Sequence, residues 1–238
     1  MKKTGFSIGI WLLCVCGVLA QNRTDVWAEL QKVRDRYTRL DNYSVNLNYK
    51  VFKGHVSAEL LENETGRFET GGSGSRYVLG DLELLRNDRY FVSIDRANKE
   101  MDIAPLTDQK SMPAFIDFTQ MDSLMRKYDM VSQIPAKDGS RILRFDFSKN
   151  LFAEFERIDI QYLPSGDLLK AVLYYRQTAD AYGSEEHFQP RLEVEYTQHN
   201  YKAVFAPDYF SEQKYFSAKE GKIDLKPNYR TYKIYSLL

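Results

Sequence analysis

Cysteine is almost missing from this 238-residue chain: Cys14 and Cys16 are the only two, and both stand inside an apolar N-terminal run. If that run is removed from the exported protein, neither a disulfide nor a thiolate metal site can form, and packing alone must hold the fold. Long apolar segments are just as scarce. The one run, from Phe6 to Leu19, is too short to cross a bilayer as a helix. Histidine is limited to His55, His187 and His199, with no HxxxH or HExxH spacing among them. Glu185-Glu186-His187 is the sole local cluster that could grip a metal, and it reads as a solvated loop after Tyr182-Gly183-Ser184. No G-x-S-x-G elbow and no G-K-[ST] phosphate loop occur. These gaps predict a non-enzymatic protein with no catalytic residues, no metal and no cofactor.

What is present begins with an export signal. Lys2 and Lys3 precede the apolar run, and Val18-Leu19-Ala20 places small or β-branched residues where a signal peptidase reads them, so cleavage after Ala20 is expected. Without Lys2 and Lys3 the basic residues number 31 against 33 acidic ones, a net charge of −2. Nothing in that balance points to a nucleic-acid or anionic-membrane partner.

From Thr24 the sequence TDVWAELQKVRDRYTRL repeats Val26, Leu30, Val33, Tyr37 and Leu40 at helical spacing, which predicts one amphipathic helix. The period then changes to two. Tyr43, Val45, Leu47, Tyr49 and Val51 alternate with polar residues, and so do Tyr90, Val92 and Ile94, then Leu143, Phe145 and Phe147, then Leu192, Val194 and Tyr196. Tight turn signals such as Asn87-Asp88, Lys137-Asp138-Gly139 and Pro164-Ser165-Gly166 separate the runs. About eleven antiparallel strands are expected, curling around their apolar face as an open barrel plugged by the N-terminal helix. Residues 111–130 abandon the alternation and predict a second amphipathic helix bearing Met112, Met121, Met125 and Met130. Residues 201–229 read as an aromatic loop, either a rim or a docking surface, before a last strand from Thr231 to Tyr235.

The order of parts, from DNYSVNLNYKVFKG through LLRNDRYFVSIDRANKEMDI (Leu84 to Ile103) to the P-S-G-D turn, resembles that of the LolA-type periplasmic lipoprotein carriers. The resemblance implies an α+β fold: one unclosed antiparallel barrel over residues 21–238, with two helices on its concave apolar face. It also implies a barrel arginine tying the lid shut, for which Arg67 and Arg76 are the candidates. A monomeric periplasmic carrier of lipid or lipoprotein acyl chains is therefore expected, exchanging cargo with inner- and outer-membrane transport proteins. Val45, Leu47, Tyr49, Tyr90, Val92, Ile94, Phe145 and Phe147 would line its cavity, and Phe118, Met121 and Met125 would form the lid. The alternative is a structural component of an envelope assembly or secretion system, with the same fold around a filled core.

Overall fold

A computed structural model describes residues 26–37, 40–106, 130–147, 149, 154–176, 179–180, 187–219 and 222–236. The expected signal segment, with the cleavage expected after Ala20, lies outside them. So do residues 107–129, which carry nearly all of the expected second helix. Among the described residues no helix is long and apolar enough to cross a membrane.

The N-terminal helix α1 occupies residues 26–37 and buries Val26, Leu30 and Val33, the stripe its spacing predicts. Sixteen strands follow among the described residues: β1 (Tyr43–Phe52), β2 (Leu60–Gly71), β3 (Gly74–Leu79), β4 (Leu82–Asn87), β5 (Tyr90–Asp95), β6 (Glu100–Pro105), β7 (Met130–Pro135), β8 (Arg141–Asp146), β9 (Phe155–Tyr162), β10 (Leu168–Tyr175), β11 (Ala179–Asp180), β12 (His187–Phe188), β13 (Arg191–Asn200), β14 (Phe216–Lys219), β15 (Lys222–Leu225) and β16 (Lys233–Ser236). Twelve of them form one unclosed sheet in the order β16-β6-β5-β4-β3-β2-β1-β13-β10-β9-β8-β7, one more than the sequence suggests. Met130 opens β7 rather than closing a helix, and it is largely exposed. The last strand starts at Lys233 and runs parallel to β6, the one departure in this sheet from antiparallel pairing. β6 and β7, consecutive among the described strands, stand towards opposite ends of the sheet.

One sheet carries two cores. On the face covered by α1, here the inner face, Tyr43, Val45, Leu47, Tyr49, Tyr77, Leu143, Phe145, Ile160, Val194 and Tyr196 belong to one buried cluster with the helix stripe. On the outer face, Leu85, Val92, Ile94, Met101 and Ile103 of β4–β6 form a second cluster with Phe210, Tyr215 and Phe216 of the C-terminal segment. The aromatic stretch 201–229 is thus not a loose loop, since most of its rings are packed against the sheet. It contains two 3-10 turns (Glu212–Lys214 and Pro227–Tyr229) and the β14–β15 hairpin and forms a strap whose rings from Phe205 to Tyr229 pack in the outer core, while Tyr201 joins the inner cluster. The face changes because the turn at Asp88-Arg89 pairs Leu84 with Ser93 and Leu85 with Val92. In β5 and β6 the inner positions are Phe91, Ser93, Asp95, Glu100, Asp102 and Ala104, so beyond β4 the inner face is mostly polar, with Phe91 paired to Ala104 as its apolar part.

Candidate binding face

α1 is held over the inner face by polar anchors at both ends as well as by its stripe. Near its start, Glu29 accepts from Arg141 Nη1 of β8 (2.7 Å) and from the Tyr162 hydroxyl of β9 (3.0 Å). Burial first, and then the bond to Glu29, push the Tyr162 phenol up to about 12, so it stays a donor. Near its end, Arg36 Nε donates to Asp167 (2.8 Å) and the guanidinium lies 4.0 Å from the centre of the Tyr201 ring, whose hydroxyl also donates to Asp167 (2.6 Å). Burial alone would raise the Asp167 carboxyl, but the bonds from Tyr201, Arg36 and Ser165 hold it below the usual carboxylate range. The Leu168 amide donates to the Tyr37 hydroxyl in the same corner (2.8 Å). Gly166, at φ 93°, gives this P-S-G-D turn a conformation that other residues rarely adopt, and a Cβ there would stand 3.2 Å from the Lys32 carbonyl oxygen and 3.3 Å from the Arg36 Cβ. Beside it, Tyr43 and His199 Nδ1 are hydrogen-bonded at 2.8 Å, and burial lowers the His199 pKa, which favours a neutral ring.

Strand register divides the inner face into rows. The row Tyr49, Val194, Ala171, Ile160 and Leu143 crosses five neighbouring strands and is buried throughout. The next row, Val51, Leu192, Leu173, Ile158, Phe145 and Val131, crosses six strands. Of its members only Phe145 is fully buried; the other five are half-buried. Beyond β1 the inner positions of β2 level with this end of the face are Glu62 and Glu64, and half-buried apolar residues return at Leu79, Leu82 and Leu84 of β3 and β4. At the usual strand spacing the six-strand row measures about 24 Å.

The expected cavity residues separate into two groups. Val45, Leu47, Tyr49, Phe145 and Phe147 share the inner cluster. Tyr90, Val92 and Ile94 do not join them: the register places them on the outer face beneath the strap, where Val92 and Ile94 are core. The expected lid residues Phe118, Met121 and Met125 lie outside the described residues. Arg67 and Arg76 also differ from expectation, since both project from the outer face into a ladder of charges. Arg67 Nε donates to Glu69 (2.8 Å), Arg76 bonds Glu69 and Glu83, and Arg96 pairs with Glu83. Tyr209 and Tyr215 of the strap donate to Glu69 (2.7 Å) and Glu83 (2.5 Å), which pins the strap to the sheet. Sequence reading overlooked the half-buried row. Its signal was the alternation of Leu192 and Val194 with Arg191, Glu193 and Glu195, in a strand that pairs directly with the apolar run of β10.

Among the described residues no group of three or more His, Cys, Asp or Glu side chains is placed to hold a metal ion. Glu185 and Glu186 lie outside those residues. A depression of about 490 Å³ opens on the outer face between Asn46, Asn48, Thr65, Arg67 and Thr197, away from the half-buried row.

No protein-family model matches the chain, and no characterised protein matches it in sequence. Among solved structures it is similar to an uncharacterised conserved protein from Thermus thermophilus, at 8% identity over 90% of this chain and 98% of that one, with a TM-score of 0.44. The lipoprotein LppX of Mycobacterium tuberculosis matches at 10% identity over 76% and 98%, with a TM-score of 0.41. A LolA superfamily protein from Nitrosomonas europaea matches at 11% identity over 79% and 98%, with a TM-score of 0.32. LolA superfamily proteins are among the structural neighbours of this chain. The stretch Leu84–Ile103, where the sequence most resembles the LolA-type carriers, forms β4, β5 and β6 with their two tight turns.

Proposed function

We propose that the protein is a non-enzymatic periplasmic carrier that binds lipid, or the acyl chains of a lipoprotein, along the inner face of its open sheet and shuttles them towards the outer membrane. The carrying observation is the half-buried row from Val51 to Val131, a continuous apolar strip beside the row that α1 seals. Half the hydrocarbon core of a bilayer is about 15 Å thick, so an acyl chain fits within the strip. Taking such a chain out of a membrane into water costs about 0.8 kcal/mol per CH₂, and burial along the strip offsets that cost by a similar amount. The export signal and the resemblance to LolA-type carriers agree with this reading.

Leu173 and Val172 make a matched test, because they are adjacent in β10 and project to opposite faces. Leu173→Glu puts a charge in the middle of the strip, whereas Val172→Lys puts one between Asp159 and Glu193 on the outer face. Titration with a fluorescent fatty-acyl probe should show binding lost in the first variant and kept in the second. Undiminished binding by a folded Leu173→Glu protein would reject the inner face as the site.

A further inference from the structure

The depression of about 490 Å³ on the outer face lies over β13, β1 and β2. Two rows of the register build it: Glu195, Asn48 and Thr65 stand level, and Thr197, Asn46 and Arg67 stand level beside them. Val78, level with Arg67 on β3, adds an apolar side chain. Most of the polar groups are held in place. Arg67 Nε donates to Glu69 (2.8 Å), Nη1 to Asn46 Oδ1 (3.0 Å) and Nη2 to the Ser44 hydroxyl (3.2 Å), while Tyr209 of the strap secures Glu69 from behind. Asn46 Nδ2 donates to Gln198 (2.6 Å), and Glu195 accepts from Lys50 (2.8 Å). Asn48 differs. Its Nδ2 reaches Glu195 only at 3.3 Å, and its Oδ1 is buried with no hydrogen-bond partner among the described residues. A buried acceptor in that position is costly to leave unmatched, and a small turn of the amide would offer it to a donor in the depression that Asn48 lines.

The chemistry of the walls narrows the ligand. Arg67 and Lys50 are matched by Glu69 and Glu195, so an anion meets the Glu195 carboxylate and a cation meets the Arg67 guanidinium. A hydrocarbon chain would strip water from amides and hydroxyls and give nothing back. An extended peptide binds most readily by adding a strand, yet β1 lies between β2 and β13 and its backbone groups serve those ladders. The side chains that remain, two amides and the hydroxyls of Thr65 and Thr197, both donate and accept. A sugar ring carries hydroxyls of the same dual character around its rim, and its C–H face can rest on Val78. We propose that this depression binds a neutral saccharide, with Asn48 and Thr65 as hydrogen-bond partners of its hydroxyls. Its volume falls in the range of small-molecule sites, about 300–1,000 Å³. The sheet itself separates the depression from the half-buried strip, so the saccharide is a second ligand and not the head of a chain bound on the inner face.

The test titrates maltotriose and chitotriose, each alone, into the isotope-labelled mature protein and follows the side-chain amide signals of Asn46, Asn48 and Gln198 by NMR. At least one of the two sugars should move these signals with a Kd of about 1 mM, an affinity that a few net hydrogen bonds supply. Asn48→Leu and Thr65→Val should each weaken that binding about fivefold, the worth of one neutral hydrogen bond. Asn48→Leu also removes the unmatched acceptor, so its melting temperature should hold while its sugar affinity falls; a merely structural Asn48 would show the reverse. Signals unmoved by both sugars, equal shifts on adding inorganic phosphate or trialanine, or undiminished affinity in both folded variants would each overturn the site. Should a variant not fold, the position of the shifts in the native protein decides by itself. Uptake of the fatty-acyl probe is expected to stay unchanged in both variants, so the carrier reading stands or falls separately.

Discussion

Glu83 carries its charge at complete burial, with no exposed surface. Burial by itself would raise its pKa, but bonds from Arg76 and Tyr215 and the charges of Arg76 and Arg96 outweigh that and hold it below the usual glutamate value. A carboxyl depressed in the folded state stabilises above its unfolded pKa, about 4.3, and that contribution is lost as pH falls through the folded value. Thermal stability should therefore start to decline as pH drops below about 4.3. Glu83→Gln should cost about 3 kcal/mol at neutral pH, because Arg76 and Arg96 lose the charge they face. The same substitution should flatten the acid limb, since the titrating group is gone. Melting curves of both proteins across that range check the two statements together. An acid limb equally steep in the variant would assign the pH dependence to other carboxyls.

At the scale of elements, α1 shows how directly local sequence can be read. Its apolar spacing at Val26, Leu30 and Val33 predicts both the helix and the face it buries. Leu30→Ala removes a side chain sealed between helix and sheet, and about 3 kcal/mol of docking energy should go with it. Hydrogen exchange of the 26–37 amides should speed up while strand β1 keeps its protection; unchanged exchange would mean that the polar anchors at Glu29 and Arg36 suffice alone. The strands are legible in a narrower sense. Alternation at Val45 and Leu47, or at Val92 and Ile94, says that one face is apolar without saying which face of the assembled sheet it is. That phase is carried by the turns. Leu84 and Leu85 are consecutive leucines on opposite faces, and the short turn at Asp88-Arg89 passes the outer phase of Leu85 to Val92 and then to Ile103. The sequence therefore holds the signal that separates Val92 from Val45, in the count of paired residues across that turn. No local count could have shown that residues 201–232 fold back over β4–β6, because Phe210, Tyr215 and Phe216 meet partners more than a hundred residues away.

Among the described residues the twelve-stranded sheet uses both of its faces, each with its own cover and its own anchors. The inner cluster is closed by α1 through apolar packing and the Glu29 and Arg36 contacts, and the outer cluster is closed by the strap through Phe210, Tyr215, Phe216 and the bonds to Glu69, Glu83 and Asn87. The two clusters share strands but are lined by opposite side chains, so damage to one cover need not reach the other. Such a division agrees with the proposed carrier role, in which cargo would exchange at the inner face while the strap holds β4–β6 from behind. Phe216→Ala empties the centre of the outer core and should cost about 4 kcal/mol there. The expected result is faster exchange at the 209–216 amides and new binding of a hydrophobic dye at the uncovered Leu85 and Val92. Affinity for the fatty-acyl probe should stay within about twofold of the native value, since ΔΔG values at independent sites add to within a few tenths of a kcal/mol. If acyl binding falls in step with strap protection, the two faces form a single cooperative unit, and the strap belongs to the proposed binding surface.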